Sequence, residues 1–292
     1  ALMFPLDDLE VDRVNLLKTG ILHADLITTV SPTHAREIQT PEYGMGLDGL
    51  LHQRADRLVG ILNGVDYQEW DPEHDELLPR NYSIDDLRGK ALNKRLLIKE
   101  LSLPYLARTP LLGMVSRLVQ QKGIDLLPDV LPGLLEQWQF QLVVLGSGES
   151  RYEDFFHRFA ETFPDRVFFY RGYNNELAHR IEAASDIYLM PSLYEPCGLN
   201  QMYSLRYGAV PVVRNTGGLA DAVQAFDTKS RQGTGFLFDR YDPREFRSTL
   251  VEALDVYPDR RLWRRLVRNG MTQDFSWERQ VGEYLDLYRQ LA

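Results

Sequence analysis

The chain has 292 residues, 44% of them hydrophobic and 26% charged, with a formal net charge of −9. This excess of acid argues against a protein that binds nucleic acid or an anionic membrane over its whole surface. One cysteine excludes an internal disulfide framework and indicates a reducing compartment. No apolar run reaches the ~18 residues that a membrane-spanning helix needs, and no signal peptide is visible at the start, so we expect a cytoplasmic protein.

The first elements in chain order alternate between helix and strand. The spacing of apolar residues predicts a helix over 11–24, a strand over 25–31 and a helix that begins at Pro32. A second buried strand over 57–66 contains Asn63-Gly64, a pair that favours a turn.

A polar region without a helical or strand period follows over 66–90. It contains the acidic run "DPEHDE" (71–76), which we interpret as part of a solvated loop that joins two units. The run has no strand beside it, and the six histidines show no paired ligand spacing, so the sequence predicts no metal site.

From residue 110 onward, short apolar strands alternate with helical patterns. Such runs, rich in Val, Leu and Ile, predict an α/β fold whose parallel sheet is covered on both faces and binds ligands beyond the carboxyl ends of its strands. A final helix is expected to start after Ser276, which suits an N-cap. The predicted strands cover 110–116, 140–146, 166–172, 186–192, 209–215 and 235–239.

The loop after the first of these strands carries two cations, Arg117 and Lys122, five positions apart. A guanidinium can bind two phosphate oxygens and an ammonium acts as a point charge, so the pair suits a diphosphate. A solvated loop with two surface cations would explain the same residues, but the position at the end of a parallel strand favours a ligand site.

The next loop contains Gly146-Ser147-Gly148 and opens a helix whose first N–H groups can face an anion. Arg151 stands where the dinucleotide fingerprint G-x-G-x-x-G needs its third glycine, so that fingerprint fails. A pair of turn-forming glycines is the simpler explanation of this loop.

The segment "MPSLYEPCGLNQ" turns from a strand into a helix near Gly198 and places Glu195 just before that helix. The first amides of the helix suit a diphosphate. A carboxylate repels phosphate, so we expect Glu195 to face the hydroxyls and the developing positive charge of a sugar in transfer. A cap of the neighbouring helix is the alternative role for Glu195.

Two further strand ends add candidate contacts. Thr216-Gly217-Gly218 opens another helix and offers close backbone approach and amide donors. Tyr173, which follows the strand over 166–172, offers a flat face for a nucleobase or a sugar, although simple surface packing explains it equally well.

Three of these motifs, in their order and spacing, resemble the bacterial glycogen synthase and plant starch synthase family: "SRLVQQKGIDL", "PSLYEPCGLNQMYSLRYG" and "VPVVRNTGGLADAV". The resemblance covers nearly the whole chain, including "GILNGVDYQEWDP" and the terminal "FSWERQVGEYLDLYRQL". It implies a Rossmann-like parallel sheet of the two-domain GT-B glycosyltransferase architecture. It also implies that glucose passes from ADP-glucose to the non-reducing end of an α-1,4-glucan with retention of configuration, without a cofactor or an essential metal.

The resemblance further implies roles for individual residues. Arg117 and Lys122 would bind the diphosphate of the leaving ADP, and Glu195 would be the essential carboxylate beside the donor glucose. Tyr173 would pack on adenine, and Asn63 would lie near the sugar. The remaining donor-binding positions are Cys197, Gly198, Leu199, Asn200, Thr216, Gly217 and Gly218.

Two features of the chemistry follow from what these motifs lack. We interpret Cys197 as a neighbour of the site rather than a nucleophile, because no histidine stands in its stretch to act as a base. No second carboxylate is recognisable opposite Glu195, so the two-carboxylate scheme of retaining hydrolases is not supported. We expect front-face attack, in which the departing phosphate takes the acceptor's proton.

The sequence departs from the family pattern at its start. Lys18-Thr19-Gly20 resembles the family's glycine-rich donor loop, but Ile21 replaces the second glycine and the surroundings predict a helix. The catalytic histidine and acidic residues of the family's first domain have no counterpart. We therefore expect an N-terminal remnant over 1–62, a nucleotide-sugar domain over 63–275 and a terminal helix over 276–292 that crosses back to the N-terminal domain. Such a chain alone should bind ADP weakly and transfer no glucose.

Other functions stay open. A retaining transferase of the same architecture could use UDP-glucose, although "EPCGLNQ" and "TGGLADAV" favour ADP-glucose. A non-catalytic glucan-binding derivative would not need Arg117, Lys122 and Glu195 together, and an NAD-dependent enzyme would need the missing fingerprint. The expected partners are ADP-glucose or ADP and glycogen or starch, without nucleic acid or membrane, in a bacterial cytoplasm or, alternatively, a plastid stroma.

Overall fold

The structure, a computed structural model, describes residues 14–291. Its first part holds three short helices, α1 (Leu16–His23), α2 (Pro32–Glu37) and α3 (Asp48–Gln53), and a parallel pair of strands, β1 (Ile27–Thr29) and β2 (Leu58–Gly60). The predicted first helix is confirmed from Leu16 onward, and residues 11–13 of that prediction lie outside the described part. Lys18-Thr19-Gly20 is helical, as predicted.

Helices and strands then alternate along the chain: α4 (Arg88–Glu100), β3 (Leu111–Val115), α5 (Leu127–Gln137), β4 (Gln141–Gly146), α6 (Ser150–Thr162), β5 (Val167–Arg171), α7 (Asn175–Ala184), β6 (Ile187–Met190), α8 (Asn200–Arg206), β7 (Val210–Arg214), α9 (Gly217–Ala222) and β8 (Phe236–Phe238). Three helices complete the described chain: α10 (Pro243–Val256), α11 (Arg260–Met271) and α12 (Trp277–Leu291). No helix within residues 14–291 is both long and apolar enough to cross a membrane.

The strands β3 to β8 form one parallel sheet in the order β5-β4-β3-β6-β7-β8. All six strands predicted after residue 110 are confirmed, and each is shortened by at most two residues at an end. The chain runs outward from β3 to β5, then returns to β6 beside β3 and runs outward the other way. The gap between β3 and β6 is therefore the topological switch point, where open α/β sheets bind ligands.

Two buried clusters hold helices against the two faces of this sheet. Along β4, Leu142 and Val144 belong to one cluster and Val143 and Leu145 to the other, the alternation that a strand imposes. The helices α5, α6, α10 and α11 pack on the first face, and α4, α7, α8 and α9 on the second. Because helices cover both faces of the sheet, a ligand can approach it at the carboxyl edge.

The acidic run over 71–76 is irregular, as predicted, but it is not solvated. Asp71 and Asp75 are only 5% and 4% exposed. The Tyr207 hydroxyl donates to Oδ2 of Asp75 at 2.6 Å, and Nδ1 of His179 lies 2.8 Å from the same oxygen. The interpretation of these two residues as solvated is wrong, because the partners of Asp75 stand 104 and 132 residues further along the chain.

The start of α2 is tied to the helices of the large sheet through α9. Asp221 on α9 accepts hydrogen bonds from the Ser31 hydroxyl at 2.5 Å, from the Thr33 backbone N–H at 2.9 Å and from the Thr33 hydroxyl at 2.6 Å. The N-terminal elements therefore border the carboxyl edge of β7.

The terminal helix α12 starts as the sequence predicts. The Ser276 hydroxyl accepts a hydrogen bond from the Arg279 backbone N–H at 3.3 Å, so the predicted N-cap is confirmed. A side chain at Gly64 would overlap Trp277, so this glycine lets the first turn approach. The boundaries near residues 62 and 275, and the crossing of α12 back to an N-terminal domain, stay predictions.

Candidate functional site

The candidate site lies where the loops after β3 and β6 meet, at the switch point of the sheet. The Leu193 backbone N–H donates to the Gln121 carbonyl at 2.9 Å, which joins the two loops. Gly123 has a φ of 72°, and a side chain there would overlap the Pro191 carbonyl. Only glycine allows this approach of one loop to the other.

An ion pair between the two loops forms the centre of the site. The Nζ of Lys122 lies 2.5 Å from Oε2 of Glu195, and the Ser192 hydroxyl donates to the same oxygen at 3.2 Å. The side chain of Glu195 is 7% exposed and that of Lys122 is 20% exposed. The structure thus pairs Lys122, the predicted phosphate ligand, with Glu195, the carboxylate predicted to face the sugar. A phosphate that binds to Lys122 must share its ammonium with Glu195 or break the ion pair.

Arg117 and Lys122 line the same cavity, which has a volume of about 200 Å³. Arg117 is exposed, and its Nη2 donates to the side-chain oxygen of Gln121 at 3.1 Å. Both predicted cations therefore reach one small space of a size that suits phosphate groups. Among residues 14–291, no three His, Cys, Asp or Glu side chains are grouped as metal ligands.

The start of α8 forms another wall of this cavity. Gly198, Leu199 and Asn200 line it, and their backbone N–H groups donate to no acceptor within residues 14–291. The Nε2 of Gln201 donates to the carbonyls of Cys197 at 2.9 Å and of Gly198 at 3.0 Å, which fixes the bend before the helix. Gly198 adopts a φ of 70°, a conformation that favours glycine. Unused amides and two cations thus border one cavity.

A buried tyrosine joins the end of β3 to the start of α8. The Val115 backbone N–H and the Nδ2 of Asn200 donate to the Tyr188 hydroxyl oxygen at 3.1 and 3.0 Å. Asn200 also donates to the Val115 carbonyl at 2.9 Å. Two donors occupy both lone pairs of the hydroxyl, so its hydrogen is left for the buried carboxyl of Glu182. Burial raises the pKa of Glu182 well above its usual range, against smaller opposing effects of Tyr188 and Lys90.

Removal of this hydroxyl tests its role in the site. In Tyr188→Phe, the Val115 amide and the Asn200 side chain lose a buried acceptor, which costs about 1–3 kcal/mol. We expect ADP affinity, measured by titration calorimetry, to fall about five- to tenfold as the cavity wall loosens. Tyr152→Phe is the matched control, because the Tyr152 hydroxyl is buried without a hydrogen-bond partner. Equal ADP affinity in both variants would contradict a positioning role for Tyr188.

The residues Thr216, Gly217 and Gly218 bond within the protein. The Thr216 hydroxyl and the Gly217 N–H donate to Oε1 of Glu37 at 2.7 and 2.9 Å, and the Gly218 N–H donates to the Glu195 carbonyl at 3.0 Å. Burial alone would raise the pKa of Glu37, but hydrogen bonds from His34, Gly217 and Thr216 outweigh it and lower that pKa. The structure therefore places these residues behind Glu195, where they fix its backbone.

Cys197 and Asn63 lie next to each other beside this bend. Cys197 is 6% exposed, and burial raises the pKa of its thiol to about 11, against a hydrogen bond from the Asn63 backbone that lowers it. A thiol with such a pKa is protonated at neutral pH and is a poor nucleophile. This agrees with our interpretation of Cys197 as a neighbour of the site.

Tyr173 stands apart from the cavity. It follows the edge strand β5, is 84% exposed, and donates from its hydroxyl to the side-chain oxygen of Asn175 at 3.2 Å. The structure does not bring it to the residues that line the phosphate-sized cavity. Its exposed ring leaves a flat face open to solvent.

Sequence reasoning missed several residues that support the site. Ser192 and Gln201 stand three positions from Glu195 and Gly198, inside the quoted motif, so their polar side chains were an available signal. Tyr188 gave no such signal, because its place in an apolar strand predicts only a core residue. The missed supports include Glu37, Glu182, Tyr188, Ser192 and Gln201.

Two known protein families match parts of this chain. The family "Glycosyl transferases group 1" matches residues 105–270, which include both loops of the site, and the family "Starch synthase catalytic domain" matches residues 3–53. The chain belongs to the group 1 glycosyltransferases, and the predicted GT-B type of fold is confirmed.

Within this class of glycosyltransferases, the chain is similar to glycogen and starch synthases. The glycogen synthase of Anaeromyxobacter dehalogenans is 53% identical over 281 residues, which are 96% of this chain and 58% of that protein. The catalytic domain of starch synthase IV from Arabidopsis thaliana, bound to ADP and acarbose, has a TM-score of 0.89 and 39% identity, and the match covers 96% of this chain and 58% of that one. The chain is a homologue of glycogen and starch synthases, so the resemblance is confirmed.

A more distant solved structure shares the fold alone. Sucrose-phosphate synthase from Thermosynechococcus elongatus has a TM-score of 0.64 and 21% identity, over 94% of this chain and 60% of that one. The chain is shorter than its relatives: it spans 58% of the length of both the glycogen synthase and the starch synthase that it matches.

Proposed function

We propose that this chain carries the nucleotide-sugar site of a glycogen or starch synthase, which transfers glucose from ADP-glucose to the non-reducing end of an α-1,4-glucan with retention of configuration. The observation that carries the proposal is the cavity at the switch point, which Lys122, Arg117 and the unused amides of α8 border, with Glu195 held next to it by its ion pair with Lys122. Homology to glycogen synthases and to a starch synthase bound to ADP and acarbose supports the choice of donor and acceptor.

The charges of the site fit the charges that develop in this reaction. Breaking the bond between the anomeric carbon and the phosphate oxygen leaves extra negative charge on ADP. Arg117, Lys122 and the amides of α8 would stabilise that charge, and such preorganised donors are the largest contribution in many enzymes. Glu195 would face the sugar, whose anomeric carbon becomes positive as the bond breaks. The ammonium of Lys122 has three donors, so it can contact a phosphate and Glu195 together.

The proposed transfer needs no covalent intermediate between the sugar and the enzyme. The acceptor hydroxyl attacks the anomeric carbon on the face from which ADP departs, so the new glycosidic bond keeps the configuration of the old one. The hydroxyl proton passes to a phosphate oxygen of the departing ADP. The thiol of Cys197 takes no part, because it is buried and protonated.

The other predicted contacts complete the proposal. Tyr173 packs its exposed face on adenine, and Asn63 lies near the sugar beside Cys197. The tight contact of Gly217 and Gly218 with the backbone before α8 keeps Glu195 in place. We place the protein in a bacterial cytoplasm, since the glycogen synthase that it matches is bacterial.

Binding of ADP and UDP to this chain, followed by titration calorimetry, tests the proposal. We expect ADP to bind more tightly than UDP, and Lys122→Ala to lower ADP affinity about tenfold or more, because a charge-assisted hydrogen bond contributes about 1.5–3 kcal/mol. Lys229→Ala is the matched control, since Lys229 is exposed in a loop away from the cavity. Tighter binding of UDP would overturn the choice of donor, and equal losses in both variants would overturn the site.

A further inference from the structure

The exposed face of α11 is entirely cationic. Its 12 residues, "RRLWRRLVRNGM", include five arginines and no acidic residue. Trp263, Leu266 and Val267 are buried against the sheet, so the arginines all face outward. They recur at positions four apart, where like charges on a helix repel one another and destabilise it.

This face borders a groove that is lined by further arginines. The groove lies between α11, the segment over 84–91 and the loop over 230–231, and has a volume of about 1190 Å³. Seven arginines and two aspartates line it, a local excess of positive charge on a chain whose net charge is −9. Apolar side chains complete its lining: Ile84, Leu87, Ala91 and Leu262.

Most of this positive charge has no counter-charge in the part of the chain that the structure describes. Arg88 pairs with Asp86 at 2.6 Å, and Arg268 lies 3.5 Å from Asp85. Asp259, the N-cap of α11, is engaged by the backbone N–H groups of the helix start. Five lining arginines have no ion-pair partner among residues 14–291, and one of them, Arg260, stacks on the Tyr257 ring at 4.3 Å. The five are Arg231, Arg260, Arg261, Arg264 and Arg265.

The loop that supplies Arg231 is held in a fixed and unusual conformation. Arg231 has a φ of 60°, in the left-handed region that side chains other than glycine rarely adopt. The carboxylate of Asp227 accepts from the backbone N–H groups of Lys229 and Ser230 at 3.0 and 3.1 Å, and the Nδ2 of Asn269 on α11 donates to the Arg231 carbonyl at 2.9 Å. The loop is therefore fastened to the arginine helix, and strain of this kind often accompanies binding sites.

We propose that this groove binds a small organic molecule that carries two or more phosphate groups. Guanidinium groups bind phosphate oxygens in pairs, which suits arginine better than lysine, and every cation of the groove is arginine. The apolar side chains suit the carbon skeleton of such a molecule. The volume of about 1190 Å³ is slightly above the ~300–1,000 Å³ of typical small-molecule sites, so the groove has room for such a molecule.

The groove is separate from the donor cavity. The two share no lining residue, and α11 packs on the far half of α8, where Gly270 contacts Leu205. Binding here is therefore a property distinct from the proposed transfer of glucose, and it can be tested when that proposal fails.

Calorimetric titration of this chain with fructose 1,6-bisphosphate, with fructose as the neutral control, tests the proposal. We expect saturable binding of the bisphosphate, no binding of fructose, and affinity that is about tenfold or more lower in the double variant Arg261→Ala/Arg265→Ala. The matched control is Arg95→Ala/Arg158→Ala, which removes two exposed helical arginines outside the groove and should bind as the parent does.

Three results would overturn the proposal. The first is no saturable binding of the bisphosphate, including the case in which a decaglutamate peptide binds instead and marks an acidic protein partner. The second is an equal loss in the groove variant and its control. The third is loss of binding in Lys122→Ala, which would place the bisphosphate in the donor cavity. Retained binding in Lys122→Ala, with loss in Arg261→Ala/Arg265→Ala, would support the groove whatever the fate of the proposed transferase function.

Discussion

Replacement of Glu195 by Gln is expected to lower glucose transfer about a hundredfold or more, in a protein of the relatives' full length, while ADP binds at least as tightly as before. The amide keeps the shape of the side chain but cannot stabilise positive charge at the anomeric carbon. It also releases the ammonium of Lys122, which lies 2.5 Å from the carboxylate, so that this ammonium can bind the phosphates of ADP. Transfer is measured as incorporation of labelled glucose into glucan, and ADP affinity by calorimetry.

The direction of the change in ADP affinity separates this role from a structural one. A carboxylate that merely supported the fold would weaken ADP binding and transfer together when it is replaced. Glu161→Gln is the matched control, because Glu161 is an exposed helical residue far from the site and should change neither quantity. Full transfer activity in Glu195→Gln would show that another group stabilises the sugar.

Gly218→Ala is expected to impair both stability and the site. A Cβ at this position would overlap the carbonyl oxygen of Cys197 and crowd its backbone carbon atoms, and the Gly218 N–H also holds the Glu195 carbonyl at 3.0 Å. Backbone atoms cannot move aside as a flexible side chain can, so we expect a loss of about 1–3 kcal/mol in the free energy of unfolding, or somewhat more. Displacement of Glu195 should lower ADP affinity as well. Urea unfolding and calorimetry measure the two effects.

A second glycine provides the control for this substitution. Gly133 lies inside α5 with nothing near the position of an added Cβ, so Gly133→Ala removes only the conformational freedom of the unfolded chain. It should raise the free energy of unfolding by about 0.4–1 kcal/mol and leave ADP binding unchanged. A Gly218→Ala variant as stable as the parent would show that α9 can shift away from the loop before α8.

The sheet could be predicted from the sequence because its strands are buried on both faces. All six residues of β4 are buried, so the run "FQLVVLG" is apolar except for Gln141, and turn residues follow it. The same signal marks β3, β6, β7 and β8, whereas the edge strand β5 ends in the exposed residues Tyr170 and Arg171. Where burial depends on a distant partner, no local signal exists. Asp75 stands in an acidic run that is typical of solvated loops, yet it is buried because His179 on α7 and Tyr207, the residue after α8, reach it.

The candidate site was partly predictable for a similar reason. The cations, the glycines and the acidic residue of each loop can be read from the sequence. Which loops come into contact, however, depends on the order of the strands in the sheet. The pairing of Lys122 with Glu195, 73 residues apart, follows from the contact between the loops after β3 and β6. The glycines of the loop after β7 were predicted to allow a close approach, and the structure shows that the approaching group is the protein's own backbone at Glu195 to Cys197.

The ion pair at the centre of the site bears on which sugars the proposed enzyme can use. A hexose that arrives without a nucleotide meets a carboxylate already neutralised by its ammonium partner, and it gains little from the contact. A hexose joined to a nucleotide brings phosphates that share the ammonium with Glu195, so that more of the negative charge of the carboxylate is available to the sugar. The proposed enzyme would thus discriminate against free glucose by electrostatics as well as by shape.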